Sequence, residues 1–144
     1  MTNTPSRHLL APVTAVLRNP AAHGHPDLPP IRRYRVRFEG DQGQADLIGG
    51  DLFAETGPHR KPLDASLATR LLNLPVTDPE GHANRAMTID ELLHEVAETH
   101  LDHRHPEWTA AEGTYGMINI HLAPRIRVTG TITRRRVTLL TSRL

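Results

Sequence analysis

The chain has 144 residues, no cysteine and a formal net charge of +1, and it is 38% hydrophobic and 23% charged. This length suits one domain with one core, and the composition is that of a folded protein rather than a disordered one. The absence of cysteine excludes disulfides, thiolate metal sites and cysteine nucleophiles. Because no apolar run reaches membrane-spanning length and the N-terminus lacks a signal-peptide pattern, we expect a cytoplasmic protein without a membrane partner.

The charges are divided along the chain into three blocks. Residues 1–40 hold six arginines against two acids, residues 41–112 hold five basic against fourteen acidic side chains, and residues 113–144 hold six arginines and no acid. The blocks therefore carry +4, −9 and +6. This segregation predicts either that the arginines meet an external polyanion or that the basic and acidic blocks pair with each other.

The first 30 residues are interpreted as an irregular segment with one short element, followed by a single α+β domain over residues 31–144. Residues 19–30 contain four prolines and a glycine, which favours an irregular connection. The apolar run before it, Val13 to Arg18, fits a strand or a helical turn, and we favour the strand. Pro12 limits the extension of that element towards the N-terminus.

A β-hairpin is predicted next. Residues 33–38 alternate strictly, which places Tyr34, Val36 and Phe38 on one face and three arginines on the other. Residues 39–43 favour a turn, and residues 45–53 are expected to return as the second strand. Within that strand, Gly49-Gly50 predicts a bulge or bend, with Asp51 stabilising a turn.

Two helices are predicted in the acidic block. Leucines recurring at spacings of three and four indicate one helix over residues 62–73. Thr88 and Glu91 form a capping box that begins a second helix, which runs to about His103. Its expected buried stripe consists of Ile89, Leu93, Val96, His100 and His103.

The remaining chain favours strands. Between Met117 and Ile132 the large apolar residues are even-numbered and so share one face of a strand: Ile118, Ile120, Leu122, Ile126, Val128 and Ile132. Val137 and Leu139 are odd-numbered, so a turn or bulge near residues 133–136 is required if they cover the same core. We therefore predict an α+β fold in which two helices pack on one face of a mostly antiparallel sheet of four to six strands. An exposed edge of that sheet could pair with another copy.

An arginine-bearing sheet face is the first candidate site. Outward positions hold Arg33, Arg35, Arg37, His121, Arg125 and Arg127, with Arg134 and Arg136 beyond the change of parity. Successive outward guanidinium groups lie roughly 7 Å apart along a strand, comparable with the spacing of phosphates in a nucleic acid. The alternative is that the acidic helix of residues 88–103 covers this face within the same chain. The few aromatic residues also argue against a platform for stacking bases.

A histidine-rich helix end is the second candidate. His94 and Glu98 share a helix face, and His103, His105 or His121 could add a third ligand for Zn²⁺ or Mn²⁺. The spacing does not match the zincin motif, because the residue four after His94 is Glu98 rather than histidine. An acidic solvent-exposed helix is the alternative interpretation, and we expect no cofactor.

These patterns favour a non-enzymatic protein that binds a polyanion, most plausibly DNA or RNA, through the arginine-bearing face. A structural subunit that forms homo-oligomers is the alternative, and a metal-dependent hydrolase is the third hypothesis. No motif in the sequence is specific enough to indicate a family.

Overall fold

A computed structural model describes residues 5–41, 44–56, 61–76, 87–109 and 113–134. The elements within these residues are α1 (Pro5–Arg18), β1 (Ile31–Asp41), β2 (Gln44–Ala54), α2 (Ala65–Leu72), α3 (Ile89–Arg104), β3 (Thr114–His121) and β4 (Arg127–Arg134). The 3₁₀ turns Pro20–His23 and Pro106–Thr109 precede β1 and β3. The four strands form one antiparallel sheet in the order β2-β1-β3-β4. The predicted α+β class is confirmed, with three helices in the described residues rather than two.

The helices lie on one face of the sheet, and the hydrophobic core fills the space between the two layers. Tyr34, Val36 and Phe38 of β1 are buried there, as predicted from the alternation. They pack in one cluster with Leu92 and Leu93 of α3 and with side chains of α1, α2 and β3. From Arg33 to Arg37 this alternation directs the odd-numbered residues of β1 to the opposite face.

The N-terminal strand prediction is wrong, because Val13 to Arg18 belong to α1. Leu9, Leu10, Val13 and Leu17 recur at helical spacing and are buried in the common core. Pro12 lies inside this helix and removes one backbone hydrogen bond. Burial of the four apolar side chains offsets that loss, so proline alone did not mark the boundary of the element.

The two predicted helices are present with altered details. The capping box is confirmed: the Glu91 backbone N–H donates to the Thr88 hydroxyl, and the Thr88 N–H donates to the Glu91 carboxylate. The earlier helix is shorter than expected and begins after Asp64, whose carboxylate caps it. The predicted buried stripe of α3 is only partly correct: Leu92, Ala97 and Leu101 join Ile89 and Leu93 in the core, while His103 is exposed and Val96 and His100 are half-buried.

The predicted bulge at Gly49-Gly50 is confirmed, and it changes which face the second half of β2 presents. From Asp41 paired with Gln44 to Arg37 paired with Ile48, the hairpin follows one register. Beyond Gly49 and Gly50 the register shifts by one residue, so that Arg35 pairs with Asp51 and Arg33 with Phe53. A one-residue shift moves each side chain to the other face of a strand. The bulge therefore puts Leu52 in the core and turns Asp51 and Phe53 outward.

Contacts from α3 hold this bulge in place. The ring Nε2–H of His94 donates to the carbonyl of Gly49 at 3.0 Å, and the Tyr34 hydroxyl donates to Asp90 at 3.3 Å. A Cβ on Gly50 would lie 2.8 Å from the Tyr34 hydroxyl oxygen, so a larger residue there would have to displace the buried Tyr34 side chain. Burial, and next the negative charge of Asp90, raise the pKa of Tyr34 well above its usual range, which keeps the hydroxyl a donor.

The described helices include none that is both long enough and apolar enough to cross a lipid bilayer.

The bulge requires a positive backbone φ at Gly49, which is +73°. Among the described residues beyond its two chain neighbours, no atom lies within 4 Å of the position that a Cβ would take there, so a substitution tests the backbone conformation alone. Gly49→Val should lower the free energy of unfolding by about 1–3 kcal/mol, because a branched residue is strained at positive φ. Gly49→Asn should cost less, since asparagine tolerates this conformation. Urea unfolding measures both values. Equal losses of stability for the two variants would contradict a conformational cause.

Candidate nucleic-acid interface

The surface of the sheet opposite the helices is here called the arginine face. Its side chains come from all four strands, as register and alternation require: Arg33, Arg35 and Arg37 of β1, Asp51 and Phe53 of β2, Asn119 and His121 of β3, and Arg127 and Thr129 of β4. The central strand thus supplies three arginines, and each neighbouring strand supplies side chains beside them. The packing of the three helices leaves this face uncovered by any helix of the described residues.

Phe53 is the centre of the basic half of this face. It is fully buried yet does not belong to the main hydrophobic core. The guanidinium carbons of Arg33 and Arg35 lie 3.9 Å and 5.0 Å from its ring centroid, and that of Arg32 lies at 5.9 Å. These distances are those of cation–π contacts. The ring therefore supports a layer of guanidinium groups on the outside of the sheet.

Side chains from the neighbouring strands hold two of these guanidinium groups in place. Arg33 donates to the side-chain oxygen of Asn119 at 2.6 Å, and Arg35 donates to a carboxylate oxygen of Asp51 at 2.8 Å. Arg35 is 27% and Asp51 38% exposed, so this ion pair is partly solvated. A guanidinium carries five N–H donors in a planar fork, and these contacts leave Arg35 with donors for a further acceptor.

The electrostatic environment shows the excess of positive charge on this face. Burial lowers the pKa of Arg33, and the charges of Arg32 and Arg35 lower it further. Burial is also the main cause that lowers the pKa of His121, followed by the positive charges of Arg127, Arg33 and Arg32. Like charges that disfavour one another in this way favour an anion placed between them.

The other arginines of the predicted site are placed differently. Arg37 is exposed further along β1, and Arg125 is exposed in the connection between β3 and β4. Arg127 pairs with His121, whose Nε2 lies 2.9 Å from the Thr129 hydroxyl. Arg134 is exposed, but it pairs with Thr114 and is even-numbered, like the β3 and β4 residues that face the helices. It therefore does not belong to the arginine face. Arg136 lies outside the described residues.

The acidic helix does not cover the arginines within one chain. α3 packs through Leu92 and Leu93 against the core side of the sheet, whereas Arg33 and Arg35 lie on the opposite side. Glu91, Glu98 and Asp102 are exposed on α3. The basic and acidic surfaces are therefore separated by the thickness of the sheet and the core, which rules out pairing of these two surfaces inside the described fold.

The four candidate metal ligands are not brought together. His94 contacts the Gly49 carbonyl and lies 3.6 Å from Asp90, while Glu98 is exposed one turn further along α3. His103 is exposed, and His105 lies 3.8 Å from Glu107. Within the described part of the chain, no three histidine, aspartate or glutamate side chains are grouped as a metal ion requires. The position of His94 instead suits a structural role at the bulge.

A groove of about 540 Å³ lies on the helix side of the molecule, between α1 and residues 74–76. Its lining is largely aliphatic, including Pro12, Val13, Val16 and Ile89, and contains two histidines, His23 and His25. Among the described residues, no arginine or carboxylate contributes to it. The groove is chemically unlike the arginine face and is separated from it by the sheet.

Three important members of the arginine face were not predicted as site residues: Phe53, Asp51 and Asn119. Phe53 was expected only as part of a returning strand, and Asp51 as a turn-stabilising residue. The Gly49-Gly50 pair was the available signal, because a bulge there shifts the register and turns both side chains towards the arginines. The position of Asn119 depends on the pairing of β1 with β3, for which the sequence carries no local signal.

No protein-family model matches this chain, and comparisons with curated proteins and with solved structures give no significant match. Inference about function therefore depends on the chemistry of the arginine face.

His121 provides a direct test of the positive potential. Its pKa should lie below the ordinary value of 6.5. Arg127→Gln should raise that pKa, because it removes a neighbouring positive charge. Since protonation is favoured in the unfolded chain, the contribution of His121 to stability is present above about pH 6.5 and is lost as the pH falls towards the folded pKa.

An NMR titration of the His121 ring measures this shift in the wild-type chain and in the variant. Arg104→Gln is the matched control, because Arg104 is exposed at the end of α3 on the helix side. An unchanged His121 titration in Arg127→Gln would contradict the electrostatic coupling between β3 and β4.

Proposed function

We propose that this protein binds a polyanion, namely a nucleic acid, through the arginine face, and that it does so without catalysing a reaction. The observation that carries the proposal is the layer of guanidinium groups held over Phe53. Phosphate oxygens accept hydrogen bonds from arginine in a planar, often bidentate geometry. The cytoplasmic location of the protein, which we expect from the sequence, stays a prediction.

Preorganisation of the arginines supports binding. A free arginine loses side-chain entropy when it contacts a ligand, and this cost reduces the affinity. Arg33 is already held by the Phe53 ring and by Asn119, and Arg35 by the ring and by Asp51. The ordering of these two side chains therefore takes place during folding rather than during binding.

Asp51 has two opposing effects in this proposal. Its carboxylate positions Arg35, but its negative charge lies next to the place where a phosphate would bind. A phosphate that approaches Arg35 competes with Asp51 for the guanidinium. Removal of the negative charge of Asp51 should therefore increase the affinity for a polyanion. Removal of a residue that itself contacts the polyanion would instead lower the affinity.

The proposal predicts distinct effects for substitutions on this face. Arg35→Gln combined with Arg127→Gln should weaken binding by about tenfold or more at low salt, because charged hydrogen bonds to phosphate are removed. The slope of log affinity against log salt should fall by about 0.7 for each phosphate of a single strand that is no longer neutralised. Asp51→Asn should raise the affinity. Fluorescence anisotropy of a labelled oligonucleotide across a salt series measures all three effects.

The matched control combines Arg70→Gln with Arg104→Gln, which removes the same charge from exposed positions on α2 and α3. Its affinity should stay close to that of the wild-type chain. Absence of binding at low salt, or equally weakened binding in the two double variants, would reject the proposal. Urea unfolding of each variant separates a direct effect on binding from loss of the fold.

Self-assembly is a second candidate, favoured by the separation of the two charged surfaces. The arginine face and the exposed acids of α3 lie on opposite sides of one chain, so they can meet only between copies. Such head-to-tail contacts join different surfaces and are salt-sensitive. Sedimentation velocity should then show an oligomer that dissociates in high salt and in the Arg35→Gln/Arg127→Gln variant, whether nucleic acid is present or not.

A further inference from the structure

At the far end of the arginine face, from the level of Arg37 onwards, the described residues present two exposed apolar side chains and no further arginine. Tyr115 is 44% and Ile48 41% exposed, and both belong to this face by register and alternation. Arg37 pairs with Ile48 on one side and with Met117 on the other. A ligand that offers only charge gains nothing from this apolar surface.

Tyr115 is the one exposed aromatic side chain of the described residues. The other four aromatic side chains, Tyr34, Phe38, Phe53 and Trp108, are buried. The sequence predicted a poor stacking platform from the small number of aromatics, and the structure places a single ring where a base could reach it. Aromatic rings on open sheets are surfaces on which unpaired bases stack.

Two exposed acidic side chains lie near Tyr115, and their negative charge disfavours a phosphate at that end of the face. Glu39 pairs with Tyr115 across β1 and β3 and with Asp46 across the hairpin, and both acids are exposed. A ligand lying along β1 therefore meets positive charge at Arg33, Arg35 and Arg37, and then an aromatic ring beside negative charge. The chemistry matches a strand that presents phosphates at one end and a base at the other.

The shape of the face also selects against a duplex. The major groove of DNA admits a helix or a two-stranded ribbon, whereas the arginine face is the surface of a four-stranded sheet. Bases paired inside a duplex could not reach Tyr115. Arg37 and Tyr115 are diagonal neighbours, roughly 7–8 Å apart, and the path from Arg33 to Tyr115 is roughly 20 Å, the length of a few nucleotides.

We propose that the ligand of the arginine face is a single-stranded nucleic acid, with phosphates on Arg33, Arg35 and Arg127 and one base stacked on Tyr115. This inference rests on the proposed polyanion binding and adds the class of nucleic acid. It assigns different parts of the ligand to the two ends of the face.

The test compares four labelled or competing ligands of equal length: a single strand, the same strand as a duplex, an abasic strand with the same phosphates, and inorganic polyphosphate. The single strand, as RNA or DNA, should bind about tenfold more tightly than the abasic strand, which is the gain expected from one stacked base. Tyr115→Leu should remove that gain and leave the salt slope unchanged. Tyr115→Phe, which keeps the ring, should bind as the wild-type chain does.

A second measurement uses the wild-type chain and does not depend on how the variants fold. NMR signals of the Tyr115 ring should shift upfield when the single strand is added and should not shift with polyphosphate. Equal affinities for the single, abasic and polyphosphate ligands, with no ring shift, would overturn base stacking but leave polyanion binding intact. Failure to bind any of the four ligands would overturn both proposals.

Discussion

The bulge at Gly49 and Gly50 sets the register of the second half of the hairpin, and the composition of the outer face of the sheet depends on it. Without the extra residue, Asp51 and Phe53 would face the core and Leu52 would lie among the arginines. The positive φ of Gly49 and the closeness of the Tyr34 hydroxyl to a Cβ on Gly50 favour glycine at both positions. Asp90 and His94 of α3 contact this region from the helix side, so the helical layer supports the geometry of the opposite face.

The central position of β1 explains why charged side chains occupy the middle of the sheet. Its residues Tyr34, Val36 and Phe38 are buried against the helices, which stabilises the fold through removal of apolar surface from water. The same alternation forces Arg33, Arg35 and Arg37 outward between two paired strands. The guanidinium groups of Arg33 and Arg35 lie over the ring of Phe53, so burial of one aromatic ring and display of positive charge are achieved by the same side chains.

The two sides of the sheet have different chemical characters, and this asymmetry constrains the function. The acids of α3 lie behind the core and cannot neutralise the arginines of the same chain. Asp51 is the acidic side chain that contacts them directly among the described ion pairs. Along β1, the arginines of this face are followed by the exposed ring of Tyr115 and the exposed acids Glu39 and Asp46. This difference between the two ends of the face is the basis for proposing an unpaired nucleic-acid strand rather than a uniform polyanion as the ligand.

Features with a local physical cause could be predicted from the sequence: the strict alternation of β1, the capping box at Thr88 and Glu91, the bulge at the glycine pair and the α+β class. α1 was missed because Pro12 was given more weight than the helical spacing of Leu9, Val13 and Leu17, although the energy of burial exceeds the loss of one backbone hydrogen bond. The tertiary structure decided which side of the sheet α3 covers, that Asn119 lies beside Arg33, and that Phe53 lies under the guanidinium groups. These features arise from pairing between segments far apart in the chain and from packing of whole layers, and no local pattern of residues determines either.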